Sequence, residues 1–172
     1  MAKNIAIYKA TVDSDELNQL RSVLESKNDL SKVLEFEEKM VKYIGAKYAI
    51  ATATSTAALH LALSSMRLKR GDKVLMSVNS FVNLPETVRH FDAEPIFVDI
   101  NLEDMNLDIE KFEEAIIANK SKKLRAAIIT FIGGLAPNLE KIYEIAKKHN
   151  ILIIEDCRAA LGTTYKGQKV GN

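Results

Sequence analysis

Four short apolar runs, separated by segments of helical periodicity, restrict the fold of this chain more than any other feature. Lys73-Val-Leu-Met-Ser77, Pro95-Ile-Phe-Val-Asp99, Ala126-Ala-Ile-Ile-Thr130 and Ile151-Leu-Ile-Ile154 are continuous rather than alternating. A strand with one face in water alternates polar and apolar side chains, whereas a strand covered on both faces has no need to. Between the runs, Leu84, Val88 and Phe91 recur at helical intervals, as do Ile109, Phe112 and Ile116, and then Leu139, Ile142 and Ile145. Strands alternating with helices predict a three-layer α/β fold around a mostly parallel sheet. A further run, Tyr48-Ala-Ile-Ala-Thr52, reads as a strand ahead of these four, and the tail from Gly162 to Gly171 reads as a turn with a short hairpin-like pair.

Two helices precede this pattern. Asp13 or Ser14 can cap the first, which sets Leu17, Leu20 and Leu24 on one face. After the polar stretch 26–29, Val33, Phe36, Met40 and Ile44 mark the second, ended by Gly45. No Pro- or Gly-rich linker divides the chain, so the expected organisation is a helical arm over 1–45 and one α/β domain over 46–172. A net charge of +1 with dispersed Lys and Arg gives no footprint for nucleic acid. The single cysteine, Cys157, excludes a disulfide framework and a multi-cysteine zinc site. The apolar runs are too short to span a membrane, and the first residues, Met-Ala-Lys-Asn-Ile, lack a signal-peptide core. The expectation is a cytoplasmic protein without membrane or nucleic-acid partners.

In parallel α/β sheets, ligands bind beyond the carboxyl ends of the strands. Three features fall at such ends. Thr54-Ser55-Thr56 opens a helix, where free amides and the helix dipole favour an anion, although a simple N-cap explains the same residues. Phe81 follows the strand ending at Ser77 and can stack on a planar ring or sit in the core. Asp156 follows a buried run, where a carboxylate needs a partner: catalysis and a structural ion pair are both open. His60, His90 and His149 make no metal spacing with one another or with Cys157, and Gly133-Gly134 lacks a dinucleotide fingerprint. A generic nucleotide-binding domain is disfavoured for the same lack of glycines after the first strand.

The order and spacing of several blocks resemble the DegT/StrS family of nucleotide-sugar aminotransferases. They are Tyr43-Ile-Gly-Ala-Lys-Tyr-Ala-Ile-Ala, Ser55-Thr-Ala-Ala-Leu-His-Leu-Ala-Leu63, Gly71-Asp-Lys-Val and Ala93-Glu-Pro-Ile-Phe-Val-Asp-Ile100, then Ala146-Lys-Lys-His-Asn150, Ile154-Glu-Asp156 and Gly162-Thr-Thr-Tyr-Lys-Gly-Gln-Lys-Val-Gly171. The resemblance implies the fold-type I large domain, a pyridoxal phosphate cofactor and a homodimer. It implies that Ser55, Thr56 and Ala57 hold the cofactor phosphate, that Phe81 stacks on the pyridine ring, and that Asp156 pairs with the ring nitrogen.

The chain departs from that pattern in several places. Ser55 stands where the family has Gly, Ala159 where it has Gln, and Leu161 and Phe131 where it has His. Glu86 replaces an Asn, and the stretch 25–31 replaces a Gly-Trp segment. The family's Schiff-base lysine lies beyond Asn172, so no catalytic lysine is assigned, and Lys166 and Lys169 read as surface lysines. On this reading the large domain is incomplete and the C-terminal small domain is absent. The expectation is a truncated or split sugar aminotransferase, partnered by a second copy or a complementing C-terminal fragment and using a nucleotide-sugar only when intact. The alternative is a non-catalytic pseudo-aminotransferase that binds or scaffolds.

Overall fold

The structure is a computed structural model that describes residues 10–26 and 30–172. Most of the polar stretch 26–29 thus lies outside the described residues. Helices α1 (Ser14–Glu25) and α2 (Leu30–Ile44) come first, then α3 (Ser55–Ser65). Strand and helix then alternate: β1 (Lys73–Ser77), α4 (Asn83–Arg89), β2 (Glu94–Val98), α5 (Ile109–Ala118), β3 (Leu124–Thr130), α6 (Leu139–His149) and β4 (Leu152–Asp156). A short hairpin, β5 (Thr164–Tyr165) and β6 (Gln168–Lys169), completes the tail.

The four main strands form one sheet in the order β2-β1-β3-β4, and every neighbouring pair is parallel. Alternate side chains feed two separate cores. Val74, Met76, Ala126 and Ile128 face Leu59 and Leu63 of α3 and Leu84 and Val88 of α4. Leu75, Ala127 and Ile129 face Phe112 and Ile116 of α5 and Ile142 and Ile145 of α6. Burial on both sides explains why the runs of the central strands β1 and β3 are continuous, while Phe97 and Leu152 on the edge strands β2 and β4 are exposed. The result is the expected three-layer α/β architecture.

Local chemistry sets the helix ends. Asp13 caps α1 in a capping box with Glu16, and Asp108 and Asn138 cap α5 and α6 through the backbone amides of Lys111 and Lys141. Asn150 ends α6 in the left-handed conformation, with Lys147, Lys148 and His149 in the last turn, where positive charge suits the dipole. The tail hairpin turns through Lys166 and Gly167, both with positive φ, as a two-residue hairpin turn requires.

Two expectations need correction. The run at 48–52 forms no strand; Tyr48 and Ile50 are exposed. An isolated extended segment gains no ladder hydrogen bonds, so apolar residues alone do not make it a strand. Strand β4 also runs two residues further than the apolar pattern, because Glu155 and Asp156 still pair with Ile129 and Thr130 of β3.

Candidate functional site

Because the sheet is parallel, all four strands end on the same edge. The chain passes outward from β1 to β2, then crosses back to place β3 on the other side of β1. That reversal leaves a crevice at the carboxyl ends of β1 and β3, the usual ligand position in this class of sheet. A cavity of about 470 Å³ lies at this edge, lined by Asn79, Phe81, Thr130, Phe131, Asp156 and Arg158, among others.

Asp156 is the last residue of β4, opposite Thr130 in the ladder. Its side chain is only 11% exposed, and a buried carboxylate of this kind needs a counter-charge. Arg158 supplies it: Nε donates to Oδ1 at 2.8 Å and Nη2 to Oδ2 at 2.7 Å, a two-pronged fork on one carboxylate. The guanidinium carbon stands 5.5 Å from the centre of the Phe81 ring. Nη1 points toward Asn83 Oδ1 at 3.3 Å and Ser55 Oγ at 3.5 Å. Asn83 in turn donates from Nδ2 to Thr56 Oγ1 at 3.1 Å.

The start of α3 is therefore part of the same cluster. Thr54 is its N-cap and accepts a hydrogen bond from the Ala57 amide at 3.1 Å. The N-cap explanation thus holds for Thr54, and the Ala57 amide already has an acceptor. Ser55, half-buried Thr56 and Ala57 form the first turn, linked to Arg158 by Ser55 directly and by Thr56 through Asn83; Ser55 and Asn83 line a neighbouring cavity that shares Asp156 and Arg158 with the first.

The loops beneath the cavity are pinned by one buried residue. Asn106 accepts from the Ile132 amide at 2.9 Å and donates to the Leu135 carbonyl at 3.4 Å, which ties the 101–106 turn to the loop after β3. Asn79 adds a bond to the Met105 carbonyl at 3.2 Å. The Thr130 hydroxyl lines the cavity, is 4% exposed as a residue, and has no hydrogen-bond partner. A buried polar atom left in that state marks a place where a bound group would gain a bond.

Phe81 is 64% exposed, which removes the core explanation for it. Lys166 is a surface lysine paired with Glu140 at 2.5 Å, and that contact holds the Glu140 carboxyl below its ordinary range. Lys169 is instead half-buried, with its ammonium 3.0 Å from the centre of the Tyr43 ring. His60 is exposed and leans on Phe91, not buried as its helix suggests. Cys157 is half-buried; burial first, then the Glu155 carboxylate, pushes its thiol up to about 12, so it is a poor nucleophile at neutral pH. Among the described residues no group of His, Cys, Asp and Glu could hold a metal ion, and no helix is long and apolar enough to cross a membrane.

The structure brings all five residues expected around a cofactor to one edge of the sheet. A reading of the sequence alone singles out neither Arg158, Asn83 nor Thr130. An arginine two residues after a strand-ending aspartate is a local signal that could have been read. The contacts of Arg158 with Phe81, Asn83 and Ser55 depend on chain crossings that sequence spacing does not encode.

A flat, phosphorylated pyridine, the group implied by the resemblance, meets this donor set well at three points: a carboxylate, an exposed aromatic face and a hydroxyl-rich helix start. The orphan Thr130 hydroxyl is a further point of attachment. At one point it meets a rival, since Arg158 already holds both oxygens of Asp156.

Comparison with known proteins agrees with this architecture. The family model of the DegT/DnrJ/EryC1/StrS aminotransferase family matches residues 10–172. The uncharacterized protein MJ1066 of Methanocaldococcus jannaschii is 33% identical over 166 residues, covering 95% of this chain and 42% of that protein. The GDP-perosamine synthase of Caulobacter vibrioides is 36% identical over 140 residues, covering 81% of this chain and 37% of that enzyme. A crystal structure of GDP-4-keto-6-deoxymannose-3-dehydratase with a trapped PLP-glutamate geminal diamine superposes with a TM-score of 0.88 at 25% identity, over 98% of this chain and 45% of that one. The chain thus spans less than half the length of these relatives. With the sheet order, the switch-point cavity and a family match over nearly its whole length, the chain belongs to the DegT/DnrJ/EryC1/StrS aminotransferase family.

Proposed function

We propose that this chain forms the cofactor-binding half of a pyridoxal-phosphate-dependent aminotransferase that moves an amino group, typically from glutamate, onto a keto-sugar nucleotide. The observation that carries this reading is Asp156, a shielded carboxylate at a strand end with Phe81 and the start of α3 gathered around it. Bound there, the pyridinium ring would supply the electron sink for amino transfer. Asp156 would accept the ring N–H and favour its protonated form. Phe81 would cover one ring face, and Ser55 and Thr56 would offer hydroxyls and amides to the phosphate, joined by the Ala57 amide if it exchanges Thr54 for the anion, where the helix dipole favours negative charge. The likeness to a GDP-perosamine synthase supports a nucleotide-sugar substrate. Family members are more than twice as long, so the activity is proposed for the assembly in which this half meets a C-terminal half, on the same polypeptide or another, and a second copy. We place that assembly in the cytoplasm. Within the chain we treat 1–45 as an arm and 46–172 as the domain, in keeping with an α1 that buries none of its residues.

A second reading, a non-catalytic binding protein built on the same surface, is favoured by the fork of Arg158 on Asp156. Pyridoxamine phosphate separates the two. Its amine cannot condense with surface lysines, and the chain has no tryptophan to mask its fluorescence. Saturable binding by the chain or by its Arg158→Ala variant, weakened but still measurable on Asp156→Ala, is the result expected of the first reading. Absence of binding in all three proteins overturns it in favour of the second.

A further inference from the structure

Within the cofactor-binding reading just given, we infer that Arg158 is an internal competitor for the Asp156 carboxylate and must be displaced before a pyridine ring can use it. The guanidinium is flat, cationic and a hydrogen-bond donor at its edge, as a protonated pyridine is. It makes the same three kinds of contact that the cofactor would make. Its fork takes Asp156 at 2.7 and 2.8 Å, using both carboxylate oxygens. Its face lies over Phe81 at 5.5 Å, the ring otherwise free to stack on a ligand. Its remaining nitrogen reaches Asn83 and Ser55 at the start of α3, where an anion would sit.

The fork sits at the edge of the cavity, where it is open to exchange. The Arg158 side chain is 35% exposed, so a path into water is open to it, at the cost of its contacts with Phe81, Asn83 and Ser55. What holds it is the shielding of Asp156: if the arginine left alone, a mostly buried carboxylate would remain uncompensated. Departure therefore needs an arriving cation. A ligand with a protonated ring nitrogen supplies one, whereas a bare phosphate does not. Arg158 in this way acts as a specificity-determining residue that holds the site closed to anything unable to replace its charge. The space such a ligand would enter is already present as the cavity beside the pair, with the Thr130 hydroxyl in its wall.

The test is a double-mutant cycle in the full chain, read by titration with pyridoxamine phosphate. Arg158→Ala should tighten binding by about tenfold, equivalent to about 1.4 kcal/mol. Arg158→Met, which keeps the apolar stem and length but has no fork, should tighten it in the same direction and serves if the alanine variant folds poorly. In an Asp156→Ala background, removing Arg158 should change nothing, because the contested carboxylate is gone. Equal or weaker binding after both Arg158 substitutions, with the unaltered chain binding well, overturns the competitor role and leaves the cofactor reading standing. A gain that persists without Asp156 overturns it too, since Arg158 would then act by bulk alone. No binding by any variant overturns both this inference and the cofactor reading beneath it.

Discussion

Helix α6 and helix α1 each carry apolar residues at helical spacing along one face: Leu139, Ile142 and Ile145 in the first, Leu17, Leu20 and Leu24 in the second. Both also have a side-chain N-cap, and α1 has the fuller one, with Asp13 and Glu16 bonded reciprocally. Yet α6 buries its stripe against the sheet, while α1 buries none of its residues and Leu20 is 62% exposed. Local signals set where each helix begins and how it is faced. Only the strands beside α6 decide that its face is covered. An amphipathic pattern therefore names a face, not the neighbour that will occupy it. Helix α2 stands between the two cases. It touches the tail at a few points: Tyr43 beside Gly162, Ile44 beside Gly171, and Lys169 over the Tyr43 ring.

Three substitutions would sharpen that gradation or break it. Ile142→Ala in α6 removes a fully buried side chain from a closed core and should cost about 2–5 kcal/mol in urea denaturation. Gly162→Ala should cost about 1–2 kcal/mol. Gly162 has φ +88, a conformation that disfavours a side chain, and a Cβ there would stand 2.7 Å from the Tyr43 hydroxyl, so the Tyr43 side chain would have to move. Leu20→Ala in α1 should cost less than about 0.5 kcal/mol, as surface changes do. If Leu20→Ala instead costs as much as Ile142→Ala, α1 is packed in solution against another surface, and a dependence of stability on protein concentration would identify a second copy as that surface.

The sheet was the most legible part of the sequence, for a physical reason. A strand buried on both faces favours apolar residues along its length, and Val74, Leu75, Met76 and Ala126 to Ile129 follow this, with polar Ser77 and Thr130 only at the strand ends. The same rule misled at 48–52, where apolar residues have no ladder to join. It also stopped β4 short of Glu155 and Asp156, because acids at a strand end do not look like strand. Those two acids face different surroundings: Glu155 accepts from Tyr143 and from the Gly171 amide, while Asp156 turns to Arg158. For the site, Asp156, Phe81 and the 54–57 turn were visible as strand-end residues and as family positions. The fork of Arg158 and the orphan hydroxyl of Thr130 were not, since each is defined by what lies a few ångströms away in space.

The contact between Tyr43 and Gly162 also bears on how the molecule assembles. Helix α2 precedes the sheet in sequence, whereas the tail residues it touches, Gly162, Lys169 and Gly171, follow β4, so these contacts join segments far apart in the sequence. The helix can form locally, and Glu37 accepts from the nearby Ala51 amide, but its contacts with the tail wait until the chain has passed through the sheet and come back. Closing so long a loop adds little to the equilibrium cost, because loop entropy grows only with the logarithm of length. It weighs instead on rate, since contacts between distant segments form late. The contacts of α2 with the tail are therefore expected among the later ones to form, although the helix itself can form locally.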